Sequence, residues 1–281
     1  MPTTRQTAVA GMFYPDNPEE LAGEIRRHLA EGREILKRNA PAESGLRPAA
    51  IVAPHAGYPY SGPIAGTAFS ALACGGTELP PIRRAVILGP SHHVAFRGLA
   101  TPSSGVFSTP AGPATVDREA IGEILALPQV HESDAAHRHE HSIEVELPFL
   151  LAVAGPEVKI VPVVVGRTEA GEVAEVLGRL LTGPDTVAIV SSDLSHYMPY
   201  PTATEFDAQT AERILALDSA GLSGERACGY MGLRGLIDYA RARHLRPSLL
   251  DLRNSGDTAG THNDQVVGYA AFAFHPPERA K

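Results

Sequence analysis

Two apolar runs in this chain each end in histidine. AAIVAPHAGY carries His55 shortly after Ile51 and Val52, and RRAVILGPSHH carries His92 and His93 after Val86, Ile87 and Leu88. Neutral imidazole is the commonest nitrogen ligand for a metal ion, so strand ends that each deliver one would begin a metal site. Neighbours on an extended chain point to opposite sides, so one of His92 and His93 is expected as a ligand and the other just outside the first ring of ligands. A further run, TVAIVSSDLSH, delivers Asp193 and His196, a pair able to orient a bound group or to act as acid and base. The segment HRHEHSIEVELP adds His137, His139, Glu140, His141 and Glu144. Cys228, in RACGYMGLRGLI, stands where a helix should begin, and a helix N-terminus favours thiolate.

Each residue also has a plainer reading. A histidine after a strand is often a hydrogen-bonded turn residue, Asp193 suits a turn or a helix cap, and a free cysteine is most often a small buried filler. Tyr58 and Tyr60 either line a pocket near His55 or belong to the core. Other motifs are missing. No lysine follows the glycines of HAGYPYSGPIAG, so no phosphate-cradling loop is expected, and neither H-E-x-x-H nor a G-x-S-x-G elbow around Ser191 and Ser192 is present.

The elements that must position these side chains are legible in the hydrophobic periodicity. Short β-branched runs closed by Pro or Gly read as buried parallel strands over 49–54, 85–89, 159–166 and 186–193. In such sheets ligands sit beyond the carboxyl ends of the strands. Asn17-Pro18-Glu19-Glu20 reads as a helix start, with Leu21, Ile25 and Leu29 on one face to about residue 36. Further helices are expected near 63–73, 117–127, 143–154, 169–182, 203–217 and 229–243, with loop at 40–48 and short strands in loop at 98–116. LLDLRN and VVGYAAFAF close the chain as strands. Alternating strands and helices imply one α/β domain over 1–281, with a mostly parallel sheet between two helical layers.

Composition narrows the function. The chain has 281 residues, is 43% hydrophobic and has a formal charge of −8, which argues against a nucleic-acid partner. No apolar run is long enough for a membrane span. MPTTRQTAVAGMFY lacks the apolar core of a signal peptide, and two cysteines, Cys74 and Cys228, cannot build a disulfide framework. A cytoplasmic, reduced protein is expected.

At these residues the chain resembles the Memo family, also called the B component of the AmmeMemoRadiSam system. The matching stretches are AVAGMFYPDNPEEL, IVAPHAGYPYSG, VILGPSHH, FSTPAG, EHSIEVELPFL, IVPVVVG, AIVSSDLSH, ACGYMG and GYAAFAF, which span nearly the whole chain in the family's order. That family is similar to class III extradiol dioxygenases, the non-haem iron enzymes that cleave catechol-type rings. The resemblance implies a three-layer α/β/α domain and a metal pocket held by His55, His92 and Cys228, with Asp193 and His196 beside it. It makes His141 an outer residue or base; the reading of the residues themselves puts His93 and Tyr58 in the outer shell or substrate pocket. Ring-cleaving enzymes complete their site with a carboxylate; a cysteine there softens it and changes the choice among iron, copper and zinc.

Three functions follow as expectations. The first is a metal-dependent oxidoreductase, with Fe(II) as the first choice, copper or zinc as alternatives, and His196, Asp193 or His141 moving protons. The second is a non-catalytic accessory module that docks a peptide or partner over an inherited pocket. The family's company, an AMMECR-type protein and a radical SAM enzyme, supplies partners for either. The third, ranked below both, is a zinc hydrolase, which only the ligand types support.

Overall fold

A computed structural model describes residues 3–39, 47–73, 80–260 and 264–277. Cys74 and most of the expected 40–48 connection lie outside them. The parallel strands are β1 (Ala50–Ala53), β2 (Arg84–Pro90), β3 (Lys159–Val165) and β4 (Thr186–Ser191), followed in the chain by β5 (Arg246–Asn254) and β6 (Val266–His275). Across the sheet they run β3-β2-β4-β1-β6-β5, with β6 antiparallel to β1 and β5 antiparallel to β6. The four parallel strands are buried almost throughout, as the continuous apolar runs require.

Register aligns the ends. Ala53 pairs with Ser191, and Leu88 with Val190. His55, His92 and Asp193 each stand two residues past the last residue of β1, β2 and β4. Three parallel strands thus release their polar residues at one edge of the sheet.

Helices cover both faces. On one, α1 (Pro18–Asn39) and α2 (Tyr58–Ala73) pack together and against α3 (Leu147–Ala154). On the other, α4 (Ala170–Leu180) packs on α6 (Tyr230–Arg243), whose Gly232 lies beside Val190 and Leu88. Ser191, next along β4, turns the other way, to Ser142 and Glu146 just before α3. That alternation is the period-two signature of a sheet sandwiched between helical layers. In addition, α5 (Tyr200–Leu215) packs on β5 and β6. The expected α/β/α architecture is therefore present.

Local signals explain most boundaries. Asn17 Oδ1 accepts the N–H groups of Glu19 and Glu20, capping α1 as its sequence predicts. The helix expected at 63–73 begins earlier, at Tyr58. Pro59 falls in its first turn, where a missing N–H costs nothing, whereas Pro63 lies inside the helix and forgoes one backbone bond without ending it. Its glycines serve packing. A Cβ on Gly32 of α1 would lie 2.5 Å from the Gly66 carbonyl oxygen, so the two helices touch backbone to backbone there. Short strands at Val130–Glu132 and His196–Met198 and short helices at Asp134–Arg138 and Ser255–Ala259 were not expected; each is too brief to show a period.

Candidate metal centre

Three side chains from separate parts of the chain meet at the strand ends. Cys228 Sγ lies 3.3 Å from His55 Nε2. One donor atom each from His55, His92 and Cys228 lie within 4.8 Å of one another. The rings of His55 and His92 are 5.2 Å apart at 69°. Cys228 arrives from the far side of the sheet, immediately before Gly229, the N-cap of α6. Its amide donates to the Asp193 carbonyl, and its sulfur accepts the Asp193 N–H at 3.3 Å. A Cβ at position 229 would fall 2.6 Å from the Ser191 carbonyl oxygen and 2.7 Å from Ser192 Cβ, so only glycine lets the thiol come this close to β4.

Each imidazole is oriented by the nitrogen it keeps away from the sulfur. His92 Nδ1 is 2.8 Å from Glu140 Oε1, and its backbone N–H donates to Glu140 Oε2 at 2.6 Å. His55 Nδ1 is 2.7 Å from Ser191 Oγ, and its backbone N–H donates to Asp193 Oδ1 at 2.8 Å. Outer partners of this kind fix the tautomer and aim of a metal-binding histidine. His141 stacks on His92 with ring centroids 4.6 Å apart and stands 5.5 Å from His55. Among the described residues a second metal-capable triplet, His92, Glu140 and His141, shares a member with the first.

Burial governs the protonation states. It holds the His55 imidazole well below its ordinary value, and the His92 and His141 rings add to this. His141 is likewise lowered, to about 4. Burial would raise the Glu140 carboxyl, but its bonds from His92 outweigh that and hold it at about 2. Asp193 is raised to about 6 by burial, against the pull of the His55 amide and the His196 ring. Cys228 is pushed up to about 12 by burial and by the nearby Asp193 carboxylate. Burial thus opposes the thiolate that a helix N-terminus favours.

The remaining expected residues are sorted clearly. His93 is exposed, its ring 6.2 Å from that of His141. His196 is exposed on its short strand, close enough for its charge to act on Asp193. Tyr58 was expected at the pocket, and this is corrected. It is 0% exposed, its hydroxyl donates to the Val145 carbonyl, and its ring packs on Tyr14 and Phe149, because the helix starting at Tyr58 turns that face into the core. Tyr60 is the exposed one of the pair. His137 is buried against the Ala100 carbonyl and His139 is exposed on the surface. Glu144 is buried with Arg5, Tyr14 and the amides of Ala8 and Val9. Beside Cys228 opens a cavity of about 340 Å³ lined by Val94, Phe96, Arg167, Tyr230 and Met231.

Three residues of the site escaped the sequence reading in their actual roles. Ser191 stands in no nucleophile motif, yet its hydroxyl supports His55. Glu146 carries no local signal beyond EVELP, which reads as the acidic start of a helix. Phe13, 4.9 Å from the His141 ring, lies far away in sequence, and only the fold brings it there.

Comparison with known proteins gives a consistent result. The family model described as Memo-like protein matches residues 5–273. A MEMO1 family protein of Methanopyrus kandleri is 38% identical over 291 residues, covering 96% of this chain and 98% of the relative. One from Desulfurococcus amylolyticus is 35% identical over 288 residues, covering 96% and 99%. One from Aquifex aeolicus is 33% identical over 280 residues, covering 96% and 98%.

Proposed function

This chain belongs to the Memo family, and from that premise we propose that it is a metal-dependent oxidoreductase whose ion is held by His55, His92 and Cys228. The observation that carries the reading is the 3.3 Å approach of Cys228 Sγ to His55 Nε2, with a His92 donor within 4.8 Å of both. That is the span expected of two ligands about 2.0 and 2.3 Å from one shared ion. Two imidazoles and a sulfur suit iron, copper or zinc far better than magnesium or calcium. Fe(II) is the first choice, and it would supply Lewis acidity and one-electron chemistry to a small molecule or peptide.

The chain's own groups divide the remaining tasks. Glu140 holds His92 in one tautomer and Asp193 anchors the backbone of His55. Asp193, raised to about 6, can take or give a proton near neutral pH, with exposed His196 as its route to solvent. Low basicity keeps His141 neutral beside His92. The cavity beside Cys228 offers a substrate an apolar wall and one guanidinium. A cytoplasmic setting, with an AMMECR-type protein and a radical SAM enzyme as partners in the AmmeMemoRadiSam system, suits a reduced thiol. No helix among the described residues is long and apolar enough to cross a membrane.

A second reading, an accessory module without turnover, draws on one observation. Met12 and Tyr60 are exposed, the Tyr60 ring and the Phe13 backbone both lie close to Gly57, and Phe13 packs on His141, so apolar surface for a peptide stands near the centre. Anaerobic metal titration followed by metal analysis tests the centre: about one iron or copper per chain is expected, falling at least tenfold in His55→Ala and Cys228→Ser. Absence of binding, or binding unchanged in both variants, overturns it. Oxygen uptake by the loaded protein with catechols or with the radical SAM product favours the enzyme; tight peptide binding without uptake favours the module.

A further inference from the structure

The hydrogen bonds around Ser191 do not balance unless a buried carboxyl carries a proton. Ser191 Oγ is 2.6 Å from the Ser142 carbonyl oxygen, 2.8 Å from Glu146 Oε1 and 2.7 Å from His55 Nδ1. A hydroxyl owns one hydrogen and two lone pairs. The Ser142 carbonyl can only accept, so that hydrogen goes to it, along the shortest of the three contacts. The other two partners must then donate. His55 must carry its proton on Nδ1, which leaves Nε2 bare and facing Cys228. Glu146 must be a neutral acid with its O–H directed at Ser191.

The surroundings of Glu146 agree. The residue is 0% exposed, and its second oxygen has no hydrogen-bond partner. An ionised carboxylate there would be a buried charge with a single hydroxyl for company, which is the costliest arrangement open to it. The reverse assignment, with Ser191 donating to a Glu146 carboxylate, would also press two acceptor oxygens together at 2.6 Å. Burial independently pushes this carboxyl well above the ordinary range.

We propose that Glu146 is a positioning residue, held as a neutral carboxylic acid, which donates to Ser191 and so holds that hydroxyl where it gives its hydrogen to the Ser142 carbonyl and accepts the Nδ1–H of His55, the tautomer that presents Nε2 to a metal ion. The two histidines of the centre would then be supported differently. Glu140, an anion, holds the His92 ring directly, whereas a neutral relay holds that of His55. This inference rests on the proposed metal reading for its consequence, though the proton on Glu146 does not depend on a metal.

Infrared spectroscopy of the metal-free protein at neutral pH tests the proton. A carboxylic-acid carbonyl stretch is expected that disappears in Glu146→Gln; its absence from the wild type, or its survival in the variant, overturns the proposal. Nitrogen-15 shifts of His55 should show the Nδ1–H form in the wild type and in Glu146→Gln, whose amide can still donate. In Glu146→Leu the Nδ1–H form should also persist, because the Ser142 carbonyl still takes the Ser191 hydrogen; its loss there would overturn the proton assignment. Cobalt titration adds the consequence. Glu146→Gln should bind within about threefold of the wild type, and Glu146→Leu about 10–100-fold more weakly. Equal weakening in both variants overturns the donor role. A wild type that binds no cobalt refutes the metal reading and leaves the spectroscopic result to stand by itself.

Discussion

Glu140 is the residue on which His92 depends twice, once at the backbone and once at the ring. Replacing it with glutamine keeps the shape but removes the charge that holds the imidazole. Metal affinity is expected to fall about 10–100-fold, read by competition with a chelator. Unchanged affinity would mean that the stacking of His141 on His92 is enough to hold the ring. The same scale shows what composition and spacing can reveal. His55, His92 and Cys228 are polar residues abutting apolar runs or a helix start, and contrast of that kind is visible in one dimension. Ser191 and Glu146 are not visible in that way, because each is an ordinary residue whose meaning lies in which atoms face it. Tyr58 misled for a related reason: closeness to His55 in sequence says nothing of which way a helix turns its side chains.

The element that delivers the thiol is the start of α6, and its fit depends on Gly229. Alanine there would force a Cβ within 2.6 Å of the Ser191 carbonyl oxygen. Since backbone must move to relieve this, Gly229→Ala is expected to cost about 1–3 kcal/mol of stability and to remove most metal binding. Denaturant midpoints and metal stoichiometry check the two halves separately. Normal binding in a fully stable variant would show that Cys228 does not need its present position. The strands and long helices were readable because each satisfies a period over many residues. The short strand carrying His196 was not. It exists because it pairs with β6 across an irregular register, His196 opposite Val267 and Met198 opposite Val266, a long-range pairing with no local trace.

Across the whole molecule, acid sensitivity should come from histidines that the core keeps neutral. His28, enclosed between α1 and α2, is lowered to about 4 by burial and by Arg27. His137 is lowered to about 4 by burial. In the unfolded chain both take up protons near pH 6.5, so each contributes stability that is complete above that pH and is lost as pH falls toward 4. The loss is on the order of 3 kcal/mol per group. Asp207, raised to about 6 by burial, acts in the opposite direction: its contribution is present at low pH and is lost as pH rises through about 6. The effect of His28 is therefore best seen by difference. The stability gap between wild type and His28→Gln should shrink or reverse as pH is lowered from 7 to 4.5 in chemical denaturation; a gap independent of pH would refute this. A further consequence concerns the strand Thr4–Arg5. Arg5 pairs with Glu144 and donates to the carbonyls of His137 and Glu140, so the first few amino acids act as a brace for the loop that aims His92. Trimming a tag too deeply, past position 5, would strand the Glu144 charge in a dry interior and slacken that loop. Such a product would be expected to express poorly and to lose its ion, with every ligand still in place.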